Sequence, residues 1–257
     1  MHLVLKRSAI KHHRLAATLL LMALMVYHSA LADEEAPWRY NPPSRAEHLA
    51  TLDPKYALCS AGEQQSPINI EHAVLADLPP LQVRYFRGPA TVRHNGHTLE
   101  VRTDLKGELR LGNKVYEFEQ LHFHTPSGEQ IQGQIYPLSA HLVHRDKKGT
   151  LAVIAIQFKK GKENSSLAQL LGVMPRHKGD AYVLGQLNVE RFMPAQRHYY
   201  TYRAGLPVPP CTEKVRWHIL KTPVEVSEEQ IVAFQLMFPI DPRPVQPVIK
   251  HTVRVSG

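Results

Sequence analysis

The segment Gln120-Leu121-His122-Phe123-His124 decides how the rest of this sequence is interpreted. Side chains alternate between the two faces of a β-strand, so Gln120, His122 and His124 share one face. Leu121 and Phe123 enter the opposite face. The segment therefore predicts a strand that buries apolar side chains on one side and aims two imidazoles at one point on the other.

A third histidine, His141, lies 17 positions after His124 and on a predicted strand of its own. If that strand is a neighbour, His141 completes a trigonal set of nitrogen ligands. Three neutral imidazoles leave the fourth position of a tetrahedral zinc ion open, which is typical of catalytic rather than structural zinc sites. Without further context, a His-x-His pair on a strand is more often a pair of surface or hydrogen-bonded histidines.

The wider sequence predicts a fold that is mostly β, at most α+β. Segments rich in β-branched and aromatic residues recur between turn signals, which favours a large, mostly antiparallel sheet. The predicted strands are Thr91-Val92, His97 to Val101, Lys114 to His124, Leu138 to His144, Leu151 to Phe158 and Val215 to Leu220. Asn95-Gly96 predicts a two-residue hairpin turn that projects His97 from the start of the next strand.

Few helices are expected. Ser227-Glu228-Glu229-Gln230 is a capping box ahead of an apolar segment, and a second short helix is predicted to begin near Ser165 or Ser166. The polar, proline-bearing stretch over residues 33–58 predicts an extended arm with little regular structure. The proline-rich tail from Asp241 predicts another surface segment.

The first 32 residues are typical of a secretory signal peptide. Four basic residues precede an apolar run from Leu15 to Val26, and Ala30-Leu31-Ala32 has the pattern of a cleavage site. A membrane anchor is the alternative, but the run is shorter than the roughly 20 residues of a spanning helix. We predict a signal peptide over residues 1–32 and one mature domain over residues 33–257. The protein is then exported, periplasmic or secreted, with no membrane attachment after cleavage.

The charge of the mature chain is modest. Residues 1–32 hold four of the 31 basic and none of the 23 acidic residues, so 27 basic and 23 acidic residues remain, a net charge of +4. Because Lys and Arg form no clusters, we assign this excess to a solvated surface and predict no nucleic-acid partner. No feature of the sequence specifies an oligomeric state.

Cys59 and Cys211 are the two cysteines of the sequence. An even number in an exported chain favours pairing in an oxidising compartment, and two unpaired core thiols are the alternative. A bond between them would close a long loop, for which chain entropy gives a stabilisation on the order of 4 to 5 kcal/mol.

Nine sequence segments, taken in their order along the chain, form a pattern that is wider than the three histidines. They are Gln65 to Ile70, Asn95-Gly96-His97, Gln120 to His124, Tyr136-Pro137, His141 to His144, Pro209-Pro210-Cys211, Val215-Arg216-Trp217, Leu220 to Gln230 and Arg243 to Pro247. Through these segments the mature chain resembles the α-carbonic anhydrases over nearly its whole length.

The resemblance implies a single domain with a central, largely antiparallel twisted sheet and a few short helices. It also implies zinc on His122, His124 and His141, a proton-shuttling His97, and a disulfide between Cys59 and Cys211. In that family, zinc lowers the pKa of its bound water to about 7 and so provides a nucleophile for carbon dioxide. Imidazole titrates near neutral pH, which suits His97 to proton relay, although an ordinary exposed turn histidine is the alternative.

Four further residues match the apolar wall against which the family's carbon dioxide rests. These residues are Val143, Val153, Leu206 and Trp217. An uncharged substrate without strong hydrogen bonds needs a dry surface of this kind. The alternative is that each residue is simply part of the core.

The chain departs from the family at Pro207 and Val208. Where the family has Ser-Leu-Thr-Thr-Pro-Pro, this chain has Gly205 to Pro210, so these two residues replace both threonines. In the family, the first threonine hydroxyl accepts a hydrogen bond from the nucleophile and donates one to a buried glutamate. Proline has neither a hydroxyl nor a backbone N–H, so Pro207 removes that contact and an anion-holding donor.

Two glutamates of the family are also replaced. The family's Pro-Ser-Glu-His segment corresponds to Pro126 to Glu129, which puts Gly128 at the glutamate position unless Glu129 swings into the gap. Ser139 replaces the glutamate that orients the third zinc histidine, and we expect it to accept a weaker hydrogen bond. Loss of such a partner typically costs about 10- to 100-fold in metal affinity or activity.

Two hypotheses follow from the resemblance and the departures. The first is zinc-dependent, reversible hydration of carbon dioxide to bicarbonate, impaired by Pro207, Gly128 and Ser139. The second is a noncatalytic, zinc-containing binding module that keeps the fold. Relaxed selection on a family copy and a pocket adapted to another ligand both account for the altered positions.

Overall fold

The computed structural model describes residues 38–40, 46–238, 241–248 and 252–257. The predicted signal peptide lies outside the described residues. None of the helices within these ranges combines the length and the apolar character that spanning a bilayer requires.

Within the described ranges the chain forms sixteen strands. They are β1 (Asn69–Ile70), β2 (Val74–Ala76), β3 (Gln82–Arg84), β4 (Gly88–His94), β5 (Leu99–Arg102), β6 (Glu108–Leu111), β7 (Lys114–His124), β8 (Gln130–Ile131), β9 (Gln134–Ile135), β10 (Leu138–Arg145), β11 (Leu151–Lys160), β12 (Ala181–Leu187), β13 (Tyr199–Ala204), β14 (Val215–Leu220), β15 (Val224–Val226) and β16 (Arg254–Ser256). The predicted strands over residues 114–124 and 215–220 agree with β7 and β14 end to end.

One twisted sheet of thirteen strands forms the body of the domain, in the order β12-β4-β5-β7-β10-β11-β14-β13-β16-β2. Strands β15, β3 and β6 pair at its margins, and β1, β8 and β9 form a separate small sheet. Most pairings in the large sheet are antiparallel, whereas β11 pairs in parallel with β14 and β15, and β16 with β2. The predicted mostly β fold with a largely antiparallel sheet is confirmed.

Strands β4 and β5 form the predicted hairpin, but its loop has four residues rather than two. His97 lies in this loop, because the paired residues flanking it are 94 and 99. Gly96 has a positive φ of 99°, while Asn95 is not in that region. The Asn95 side chain instead accepts hydrogen bonds from the backbone N–H groups of His97 and Thr98, at 2.9 and 2.8 Å. This side-chain bridge replaces the tight turn that the dipeptide predicted.

Four short α-helices are described: α1 (Leu49–Leu52), α2 (Leu58–Ala61), α3 (Ser165–Leu171) and α4 (Glu228–Met237). Helix α4 begins with the predicted capping box, in which Ser227 and Gln230 cap each other's backbone N–H groups. Helix α3 begins at Ser165, as predicted. The side chain of Asn164 accepts hydrogen bonds from the backbone N–H groups of Ser166 and Leu167 in its first turn.

The expectation of little regular structure before residue 58 was wrong for the described part of that segment. Helix α1 and the 3-10 helices Ala46–His48 and Pro54–Tyr56 occupy it. Tertiary packing explains this order, because Leu49 and Tyr56 are fully buried in one cluster with Trp38 and the two cysteines.

The proline-rich tail is not wholly a surface segment either. Strand β16 pairs with β13 and β2 in the central sheet. The Arg243 guanidinium is buried and donates to the backbone carbonyls of Cys59 and Ser66, at 2.6 and 2.9 Å. A buried arginine needs such acceptors, and they draw the tail onto the domain.

Cys59 and Cys211 form the predicted disulfide, across a sequence separation of 152 residues. The bond joins helix α2 to the loop between β13 and β14. The N-terminal helices are thereby tied to the loop that carries Pro207 and Val208.

The acid stability of the sheet depends in part on His218 of β14. This side chain is 5% exposed, and neither ring nitrogen has a hydrogen-bond partner among the described residues. Burial, and then the nearby charge of Arg216, lowers its pKa to about 3. An unfolded histidine titrates near 6.5, so the unfolded chain binds this proton first and stability falls as the pH drops from about 6.5 towards 3.

We expect His218→Phe to reduce this acid sensitivity. A phenyl ring fills similar space and does not titrate, so the loss of unfolding free energy between pH 7.5 and pH 5 should be about 2 kcal/mol smaller than in the parent. Urea denaturation of both proteins at the two pH values measures this difference. Equal pH dependence in the two proteins would contradict it.

Candidate metal centre

The metal centre is built from the pairing of β7 with β10. These strands are antiparallel, and their register places His141 directly opposite His122 and Ser139 opposite His124. One potential ligand atom from each histidine lies within 4.8 Å of the other two. The structure therefore brings together the three predicted ligands, with His141 buried and the other two partly accessible.

The donor set fits a zinc ion. The Nε2 atoms of His122 and His124 are 3.0 Å apart, close to the edge of roughly 3.3 Å expected for a tetrahedron with Zn–N bonds of about 2.0 to 2.1 Å. Burial, and then the neighbouring His141, holds the pKa of both imidazoles well below the usual value. Both rings are thus neutral at pH 7, and their lone pairs are available to a metal.

Two side chains orient the rings of His122 and His141 by contacting the ring nitrogen that faces away from the centre. The Oε1 atom of Gln120 lies 2.8 Å from Nδ1 of His122, which leaves Nε2 of that ring for the centre. Oε2 of Glu129 lies 3.2 Å from Nε2 of His141, which leaves Nδ1 of that ring. Metal-binding histidines usually make such a hydrogen bond through their second nitrogen.

The four predicted wall residues lie together beside the histidines. In the sheet, Val143 pairs with Val153, and Val153 pairs with Trp217, so the three form a row across strands β10, β11 and β14. Leu206 packs against the same cluster. The indole of Trp217 meets the His141 ring edge to face, with ring centres 5.1 Å apart. An apolar surface therefore adjoins the imidazole set.

The loop that carries His97 is fixed to β7 at the residue between the two ligands. The Thr98 hydroxyl accepts from the backbone N–H of Phe123 at 3.1 Å and donates to the carbonyl of the same residue. His97 itself is exposed, and its ring stacks on Trp38 with centres 4.2 Å apart. The predicted shuttle thus stands at the surface near the histidine strand, against an aromatic partner.

Comparison with known proteins agrees with this architecture. Residues 50–256 match the family model of the eukaryotic-type carbonic anhydrases. A carbonic anhydrase of Pectobacterium atrosepticum is 35% identical over 229 residues, which is 88% of this chain and 94% of the relative. The chain belongs to the α-carbonic anhydrase family. Family and fold place it among zinc enzymes that hydrate carbon dioxide.

Two solved structures share the fold of this α-carbonic anhydrase family member. The enzyme of Thermovibrio ammonificans, in complex with the inhibitor sulfanilamide, superposes with a TM-score of 0.82 at 39% identity, covering 85% of this chain and 99% of that one. Dioscorin complexed with ascorbate superposes with a TM-score of 0.80 at 26% identity, covering 85% and 97%.

The loop that carries Pro207 and Val208 is held from several sides. The Tyr40 hydroxyl donates to the carbonyl of Pro207 at 2.7 Å. The Trp217 indole N–H donates to the carbonyl of Gly205 at 3.1 Å. The loop is thus closely packed, with a residue at position 207 that offers no hydrogen-bond donor.

The second departure, at Gly128, lies in a tightly packed turn. A Cβ atom on this glycine would come within 3.2 Å of two side-chain atoms of Pro67. The carboxylate of the next residue, Glu129, contacts His141.

The expectation that Ser139 hydrogen-bonds His141 was wrong. The Ser139 hydroxyl is buried without a hydrogen-bond partner among the described residues. Sequence reasoning also missed the Glu129 contact and the Trp38 stacking, since both join distant segments through loop conformation. For Gln120, strand alternation gave the correct face but not the contact with His122.

Zinc binding should depend on the three histidines. We expect one zinc ion per purified chain, and we expect His124→Ala to lower the zinc affinity by more than about 100-fold, since it removes a ligand outright. Zinc content by mass spectrometry and competition with a chromogenic chelator measure both quantities. His177→Ala, which removes an exposed histidine, is the matched control. Equal zinc retention in both variants would contradict the assignment.

Proposed function

We propose that this protein is an exported carbonic anhydrase that interconverts carbon dioxide and bicarbonate at a zinc ion held by His122, His124 and His141. The observation that supports this most directly is the position of the three imidazoles beside the unbroken apolar row of Val143, Val153 and Trp217. A metal ligand set and a dry surface for an uncharged substrate lie next to each other on one face of one sheet.

A zinc ion held by the three histidines would supply Lewis-acid chemistry and would lower the pKa of a bound water molecule towards 7. The histidines would hold the ion through their ring nitrogens, and Gln120 fixes the ring of His122. The apolar row with Leu206 excludes water and leaves carbon dioxide without competing hydrogen bonds.

Regeneration of the site requires that a proton leave for solvent. His97 is suited to carry it, because its ring is exposed and imidazole accepts and releases protons near neutral pH. Stacking on Trp38 fixes the ring plane, and the Thr98 bridge to Phe123 keeps the loop beside the ligand strand. We assign His97 the role of proton shuttle.

Turnover is lowered by two of the altered positions. Pro207 offers no hydroxyl to orient the nucleophile and no N–H to hold a developing anion. Gly128 provides no carboxylate to accept the proton of such a hydroxyl. Loss of one preorganised donor typically costs on the order of 10² to 10³ in rate. Carbon dioxide hydration is therefore slow rather than abolished.

Export is supported by the N-terminal sequence pattern and by the disulfide. A bond between Cys59 and Cys211 persists in an oxidising compartment, whereas reducing systems keep cytosolic thiols free. We place the mature domain in the periplasm or outside the cell.

Stopped-flow hydration of carbon dioxide by the mature, zinc-loaded protein tests the activity. We expect turnover above the buffer blank that disappears on zinc removal, returns on reloading and is inhibited by sulfanilamide. Zinc content must be determined on the same sample. Hydration at the blank rate with one zinc ion per chain would overturn the proposed activity.

Reversion of the altered pair tests the cause of slow turnover. We expect Pro207→Thr with Gly128→Glu to raise kcat/KM on the order of 10²-fold, because it restores the hydroxyl and its proton acceptor. Pro67 must shift by a few tenths of an ångström to admit the new side chain.

The matched control is Pro207→Ala with Gly128→Glu, which restores the backbone N–H without a hydroxyl. An equal gain in both double variants would show that the hydroxyl is irrelevant. No gain at full zinc occupancy would show that the pocket differs elsewhere.

The second candidate is a noncatalytic binding module. The relation to dioscorin favours it, because that protein has this fold and was solved with ascorbate rather than with a carbonic anhydrase inhibitor. Zinc at full occupancy without turnover, together with saturable ascorbate binding by calorimetry, would support this candidate. Sulfanilamide-sensitive turnover would exclude it.

A further inference from the structure

The altered position Ser139 leaves His141 without the carboxylate that its own strand provides in the family. Ser139 is two residues before His141 and therefore on the same face of β10. Its short side chain is fully buried, and its hydroxyl contacts no hydrogen-bonding group in the described ranges. Among the described residues, Ser139 therefore contributes no hydrogen bond that would orient the His141 ring.

A carboxylate reaches the same ring from a different segment. The Glu129 side chain is 0% exposed, and its Oε2 lies 3.2 Å from Nε2 of His141. Its other oxygen, Oε1, has no hydrogen-bond partner among the described residues. Burial of a carboxylate is costly unless it is paired, so a buried glutamate whose described hydrogen-bond partner is an imidazole calls for a functional explanation.

The turn before β8 fixes the direction of this carboxylate. Ser127 receives the backbone N–H of Tyr136 on its hydroxyl at 3.0 Å, and it donates its own N–H to the carbonyl of that residue at 2.9 Å. The Ser127 hydroxyl also donates to the carbonyl of Glu129 at 3.1 Å. With Pro67 packed against Gly128, the turn has little freedom, and Glu129 points inward to β10.

A second carboxylate at position 139 would oppose Glu129. It would lie on the face of β10 that carries His141, and two carboxylates that share one site repel each other. The serine at position 139 removes both the charge and the volume that would oppose Glu129.

We propose that Glu129 is the positioning residue for His141, and that the orienting carboxylate has moved from position 139 on strand β10 to position 129 in the preceding turn. Glu129 accepts a hydrogen bond from the Nε2–H group of His141, which fixes the tautomer and directs Nδ1 towards His122 and His124. The proposal depends on the proposed function only in that the three histidines bind zinc. It does not depend on turnover.

Transfer of the carboxylate back to β10 tests the proposal in the mature, zinc-loaded protein. Glu129→Gln, Ser139→Glu and the double variant form a mutant cycle. Zinc affinity is measured by chelator competition, and the cobalt-substituted proteins give visible spectra that report ligand geometry. Melting of each metal-free protein is measured in parallel.

We expect Glu129→Gln to weaken zinc binding by about 10- to 100-fold and to change the cobalt spectrum. Ser139→Glu alone should also weaken binding, because it places two carboxylates beside one ring. The double variant should regain most of the parental affinity and the parental spectrum. Opposite effects of one substitution in two backgrounds would not follow from a merely structural role.

Glu119→Gln is the matched control. It neutralises a carboxylate on β7 that pairs with Arg145 rather than with a ligand, so zinc affinity should stay within about twofold of the parent. Parental affinity and spectrum in Glu129→Gln would overturn the proposal. The proposal would also be overturned if Glu129→Gln lowered the zinc affinity only in step with the melting temperature of the metal-free protein and left the cobalt spectrum unchanged. Because no arm requires turnover, a protein without hydration activity can still support the assignment.

Discussion

The register between β7 and β10 is the constraint on which the rest of the site depends. Side chains alternate with a period of two, so a slip by one residue would move His141 to the opposite face of the sheet. Depending on its direction, the slip would place Leu142 or Ala140 opposite His122, where His141 now lies. Burial of both faces prevents this, because the far face packs Leu121, Phe123 and Leu142 into the main core. The apolar core thus sets the geometry of a polar site.

Strong local patterns made much of this structure predictable. Residues 120–124 of β7 alternate strictly between the two faces, the capping box begins α4, and the faces of the three histidines follow from alternation. Features that depend on tertiary contact were not predictable. The helices before residue 58 form around the disulfide cluster, and Asn95 bridges its loop instead of turning it. The direction of Glu129 is set by a turn whose hydrogen bonds connect residues far apart from β10.

The altered positions separate two tasks that are usually considered together. Metal binding requires ligands and the side chains that orient them. Here the three histidines are present, Gln120 contacts His122, and Glu129 contacts His141. Orientation of a nucleophile is expected to need a side-chain hydroxyl at position 207 and a carboxylate at position 128, and Pro207 and Gly128 provide neither. The apolar row is kept intact. In our proposal, the chain keeps the residues that would hold a metal and an apolar substrate, and it differs at the residues that would orient the nucleophile.

Two parts of the site differ in the sequence separation of the residues that hold them in place. These parts are the three histidines and the loop around Pro207. The three histidines span residues 122–141, so neighbouring strands assemble them from one short part of the chain. The loop is held by Tyr40 and by the Cys59–Cys211 bond, which joins residues 152 positions apart. In terms of contact order, the metal site is local, whereas the loop around Pro207 depends on contacts between distant parts of the chain. Changes in the N-terminal segment therefore act on this loop, and the pairing of β7 with β10 that assembles the three histidines does not involve that segment.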